Sequence, residues 1–177
     1  MAEVVELDDL VVIADYLLRN PPPAFEGRAE PYATREELQA TLRRHPGRRG
    51  VWRARQALAL ARVGADSQPE TRLRLALIRA GLPEPAVNKP IRNDDGDMLH
   101  APDLSLPEYR IAIEYEGESH GNVDQIARDI AREERTRAAG WEEVRISKRH
   151  MANGDRRAVE KIGVALRARG WRQEDAA

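Results

Sequence analysis

Residues 100–120 read His-Ala-Pro-Asp-Leu-Ser-Leu-Pro-Glu-Tyr-Arg-Ile-Ala-Ile-Glu-Tyr-Glu-Gly-Glu-Ser-His. Leu104, Leu106, Ile111 and Ile113 alternate with Asp103, Ser105, Ala112 and Glu114 on either side of a Pro-Glu turn. Strand side chains alternate between faces, so this pattern predicts a hairpin with one apolar and one acidic face. A two-residue loop sets Asp103 diagonal to Glu114, and a four-residue loop sets them directly opposite. Both registers keep the same faces, because a slip of two does not invert the pattern. Glu116 extends the acidic face if the strand runs on to Gly117. Like charges juxtaposed across strands are unfavourable, and a divalent cation is the simplest group to offset them.

Composition narrows the function classes. The chain has 177 residues and a formal charge of −1, so no global basicity announces nucleic acid. Lysine occurs only at Lys89, Lys148 and Lys161, and arginine far outnumbers it. The absence of cysteine excludes disulfides, Fe–S clusters and thiolate zinc sites. The first residues are acidic, without the basic region of a secretory signal. The apolar run from Leu10 to Leu18 is too short to span a bilayer and contains Asp15. These features predict a soluble cytoplasmic protein with no membrane association.

The first third reads as helical, an extension over residues 1–64. Asp8 or Asp9 caps a helix that stops before Pro21-Pro22-Pro23. Residues 20–33 form a Pro-rich linker. Thr34 and Glu37 form a capping box for a helix to about Arg44, and His45-Pro46-Gly47 separates it from a third helix over about 49–63. Residues 65–177 read as an α/β domain in the order α-β-β-β-α-β-α. Ser67, Pro69 and Glu70 open its first helix and Gly81 stops it. Strands follow over 87–92, 98–106 and 110–116, then a helix from Val123 to Ala139 that stops at Gly140. A strand from Trp141 to Ser147 and a helix capped by Asp155 complete the pattern.

Glu70, Pro102-Asp103, Glu114-Tyr115-Glu116-Gly117, His120, Arg128-Asp129 and Gly140-Trp141 come in this order along the chain. Together they resemble the PD-(D/E)xK nuclease superfamily, in its very-short-patch-repair-like and DUF559 branch. The resemblance covers about residues 65–150 and extends to the preceding helices, including His45 to Gly50. Many members of that branch have more sequence ahead of the first helix. The resemblance implies an α/β (α+β), restriction-endonuclease-like domain, a small mixed sheet flanked by helices, behind a helical extension. It further implies a metal-dependent endonuclease acting on DNA, with Asp103 and Glu114 holding Mg²⁺ or Mn²⁺. Glu70 and Glu116 would support that site, and His120, oriented by Asp129, would assist proton transfer at the scissile phosphate. One departure matters: Glu116 stands where the superfamily motif has lysine.

Each residue also has a plainer reading. Asp103 and Glu114 are expected metal ligands because they meet on one face, and Mg²⁺ takes carboxylate oxygens. Glu70 is already accounted for by its capping box. Asp129 forms an exposed pair with Arg132 in the plainer account. Arg128, Arg132 and Arg135 share one helical face, and with Lys148 and Arg149 they are candidates for gripping phosphates. Trp52, Trp141 and Trp171 are expected to pack rather than stack on bases. A non-catalytic nucleic-acid-binding or regulatory module on the same fold, of a kind suited to defence or toxin–antitoxin systems, is the competing reading.

Overall fold

The computed structural model of the chain describes residues 5–21, 26–117 and 123–173. They group into two compact units, Met1–Arg72 and Leu73–Ala177, and the division falls within a helix.

The first unit holds α1 (Leu7–Leu18), α2 (Arg35–Arg44), α3 (Val51–Leu60) and the opening of α4 (Gln68–Arg79). Helix α1 starts one residue before Asp8, with Glu6 at the cap position, so Asp8 and Asp9 lie in its first turn rather than capping it. There they complement the positive end of the helix dipole. Thr34 forms the complete capping box: its hydroxyl accepts from Glu37 N–H at 3.2 Å, and the Glu37 carboxylate accepts from Thr34 N–H at 2.8 Å. Ala14, Leu18, Leu58 and Ala61 form a core with Leu38 and Leu42 packed against it. Asp15, which interrupts the apolar run, is buried and accepts from Arg62 N–H at 2.7 Å and the Thr71 hydroxyl at 2.9 Å. A buried carboxylate is tolerated when its oxygens find such donors. Trp52 does not pack as expected; it is 66% exposed.

The second unit is a mixed α/β fold. Two strands expected to be continuous are each broken. Residues 87–92 give β1 (Ala86–Val87) and β2 (Ile91–Arg92), and residues 98–106 give β3 (Met98–His100) and β4 (Leu104–Leu106). Asn88 adopts a left-handed φ of 46°, and Pro90 has no N–H to offer a ladder. Pro102 interrupts the second run in the same way. A short 3₁₀ turn (Pro107–Tyr109) leads to β5 (Ile111–Glu116), followed by α5 (Val123–Ala138), β6 (Glu142–Ser147) and α6 (Arg156–Ala168). The main sheet has the order β1-β4-β5-β6, with β5 and β6 parallel and the other pairs antiparallel; β2 and β3 form a separate antiparallel pair. This is a mixed α/β fold with a small mixed sheet, as the resemblance implies.

Leu104, Leu106, Ile111, Ile113, Val144 and Ile146 are buried. By strand alternation they share one face, while Ser105, Ala112, Glu114, Glu116, Glu143, Arg145 and Ser147 point to the other. Asp155 stands at the cap position of α6, but its φ is 62° and its side chain makes no capping bond. Its carboxylate faces Arg79 at 3.8 Å instead. Among the described residues no helix is long and apolar enough to cross a membrane.

Gly140 fixes where α5 ends over this sheet. Its φ is 77°, its N–H donates to Arg137 O at 2.9 Å, and Trp141 N–H donates to Thr136 O at 3.1 Å. These two bonds are a Schellman cap. The buried Trp141 then packs with Ile91 and Ala112 and donates its indole N–H to Arg92 O at 2.9 Å. A Cβ at position 140 would lie 3.2 Å from Arg110 Nη1. Gly140→Ala is therefore expected to cost about 1–2 kcal/mol, chiefly from the left-handed backbone. A urea melt should show a lower midpoint at unchanged slope; an unmoved midpoint would remove this role of the glycine.

Candidate functional site

The β4–β5 loop, Pro107 to Arg110, has the four-residue length. Leu106 pairs with Ile111 and Leu104 with Ile113. Asp103 immediately precedes β4, one position beyond the Leu104–Ile113 pair, which by alternation places it on the same face as Glu114. Asp103 Oδ2 accepts from Tyr115 N–H at 2.7 Å, and the Asp103 carbonyl accepts from Asn88 N–H at 3.0 Å. These bonds fix the residue between β1 and β5.

Glu114 turns toward β3 and α5. Its Oε1 lies 3.1 Å from His100 Nε2 and 3.8 Å from Arg132 Nη2. His100 Nδ1 lies 3.4 Å from Thr136 Oγ1, and the Thr136 hydroxyl donates to Arg132 O at 2.9 Å. From β6, Glu143 enters the same space with its side chain 3% exposed. Its Oε1 accepts from Arg145 Nε at 2.9 Å, while its buried Oε2 has no hydrogen-bond partner among the described residues. One ligand atom from each of His100, Glu114 and Glu143 lies within 4.8 Å of the others.

Arg145 balances the acids of this face. Its guanidinium donates to Glu116 at 3.1 Å, to Glu133 at 2.8 Å and to Glu143 at 2.9 Å. Burial alone would lower its pKa, but the bond to Glu116 and the charges of Glu143 and Glu133 outweigh it and hold the group above its ordinary range.

The expected site residues thus divide by place. Asp103, Glu114 and Glu116 line one face of the sheet, and Glu116 is half-exposed and tied to Arg145. Arg132 does not project freely for phosphates; it turns toward Glu114 and lies 3.8 Å from Asp129. Glu70 lies in the first unit, where it accepts from the Ser67 hydroxyl at 2.7 Å and from Asp66 N–H at 2.9 Å. That is local capping. Arg128, Arg135, Lys148 and Arg149 are exposed, the last two in the turn after β6. In that turn His150 Nδ1 accepts from Ser147 N–H at 3.0 Å. His120 lies outside the described residues.

The sequence did not point to His100, Glu143 or Arg145. A continuous strand over 98–106 would put His100 on the apolar face, and the break at Pro102 brings it to the acids instead. Glu143 and Arg145 arrive through the parallel β5–β6 register, Ala112 to Glu143 and Glu114 to Arg145. The alternation of Glu143, Arg145 and Ser147 was the available signal, but local sequence does not set a register across a helical crossover.

No family model matches the chain. It is similar to uncharacterized proteins of Mycobacterium tuberculosis, one in strain CDC 1551 / Oshkosh and one in strain ATCC 25618 / H37Rv. Each is 35% identical over 108 residues, which is 60% of this chain and 40% of the relative. The chain therefore spans well under half the length of these curated relatives. No solved structure matches.

Proposed function

We propose that the chain is a metal-dependent nuclease that hydrolyses phosphodiester bonds, with DNA as its substrate and Mg²⁺ or Mn²⁺ as its cofactor. The observation that carries the reading is the β4–β5 register, which by strand alternation puts Asp103, just before β4, on the same face as Glu114, Glu116 and Arg145. Two carboxylates on adjacent strands form the all-oxygen donor set that a hard dication takes. A cation bound there would stabilise charge on a phosphate and acidify water. Tyr115 N–H and Asn88 N–H hold Asp103 in place. Exposed Arg128, Lys148 and Arg149 are the proposed phosphate contacts, and the reading puts the protein in the cytoplasm with its DNA.

Plasmid and single-stranded DNA incubated with the protein should be cut in Mg²⁺ or Mn²⁺ and left intact in chelator. Binding without cleavage under every metal would favour the second reading, a non-catalytic nucleic-acid-binding or regulatory module. The engagement of Glu116 by Arg145 favours that alternative, because it quenches the position where the motif has its lysine.

A further inference from the structure

His100 Nε2 and Glu114 Oε1 face each other at 3.1 Å. On its other side His100 Nδ1 lies 3.4 Å from Thr136 Oγ1, whose hydroxyl reaches Arg132 O at 2.9 Å. A ring nitrogen and a carboxylate oxygen at 3.1 Å are joined either by a proton or by a metal cation. The third group decides between these. Glu143, 3% exposed, brings a buried Oε2 with no hydrogen-bond partner among the described residues, and burying a carboxylate oxygen without a donor is unfavourable. A proton on His100 satisfies Glu114 and does nothing for Glu143; a cation satisfies all three.

We propose that His100, Glu114 and Glu143 form a site for a first-row transition-metal dication, with Zn²⁺ bound more tightly than Mg²⁺. Ligands at about 2.0–2.2 Å from such an ion stand about 3–3.5 Å apart, so His100 and Glu114 already have the required spacing. Glu143 must close in from a spread of at most 4.8 Å. Imidazole suits Zn²⁺, whereas Mg²⁺ prefers carboxylate, carbonyl and water oxygens. Thr136 is a positioning residue: its hydroxyl faces Nδ1 and holds the ring angle, as outer groups around metal-bound histidines do. Three protein ligands leave a coordination position open, the arrangement of reactive rather than structural sites. The inference rests on reading Glu114 as a cation ligand, but not on cleavage of DNA.

The test is a titration of the full chain with Zn²⁺ by calorimetry, accompanied by NMR of the histidine rings with Co²⁺. One Zn²⁺ per chain should bind, about 10²-fold more tightly than Mg²⁺, and Co²⁺ should shift the His100 ring in the unsubstituted protein. His100→Ala and Glu143→Gln should each weaken Zn²⁺ at least about tenfold, and Thr136→Val about tenfold. No Zn²⁺ binding at millimolar concentration overturns the site. So does binding insensitive to His100 and Glu143, or a His100 ring that keeps protons on both nitrogens in excess Zn²⁺. Mg²⁺-dependent cleavage without Zn²⁺ binding would leave the nuclease reading standing and remove this site. Zn²⁺ binding as described, with no cleavage in any metal, would do the reverse.

Discussion

Glu114→Gln is expected to lower Mg²⁺-dependent DNA cleavage by about 10²–10³-fold while leaving DNA affinity within about twofold. Glu114 stands on the acidic face of β5, the face that alternation also gives Asp103, and in contact with His100 and Arg132. The amide keeps the shape and removes the charge, so loss of rate with retained fold isolates the chemistry. Asp103→Asn should lower the rate comparably, because asparagine retains an oxygen to accept Tyr115 N–H. Single-turnover cleavage with each variant at saturating metal is the measurement. Equal rates for wild type and both variants would remove Asp103 and Glu114 from the reaction. A drop for Glu114→Gln alone would shift the site toward His100 and Glu143.

The acidic face was legible because its information is local. Period-two alternation over Asp103–Leu106 and Ile111–Glu114 assigns faces without knowledge of the fold, and the two candidate registers differed only in loop length. Helix limits were legible for a similar reason: the Thr34–Glu37 box and the left-handed Gly140 are short-range signals. What escaped the sequence is non-local. Pro102 ends one ladder and begins another, and the parity of the strand is lost across that break, so His100 changes face. The acid–arginine network of Glu143, Arg145, Glu133 and Glu116 needs β6 in parallel register beside β5 and α5 above it. None of the three elements carries that arrangement by itself. Asp15 shows the same limit, since its donors come from residues 62 and 71, far along the chain.

That network also sets the largest expected effect on stability. Arg145→Met is expected to destabilise the protein by about 2–3 kcal/mol. The figure lies at the low side for a broken buried pair because the guanidinium is 37% exposed. The substitution keeps most of the apolar stem but leaves Glu116, Glu133 and Glu143 without their shared cation; Glu133 retains Arg137, whereas the Glu143 side chain is 3% exposed. Adding Glu143→Gln to Arg145→Met should recover at least about 1 kcal/mol, because it removes the most deeply buried of the stranded charges. Urea melts of wild type, both single variants and the double variant complete the cycle. Zn²⁺ reads the same network from the other side. If Glu143 is a metal ligand, Arg145 competes with the ion for it, so Arg145→Met should bind Zn²⁺ more tightly and regain stability as Zn²⁺ is added. A variant as stable as wild type would mean the three carboxylates are solvated independently. Destabilisation that Zn²⁺ does not relieve would leave Arg145 as a structural counter-charge and exclude Glu143 from the metal site.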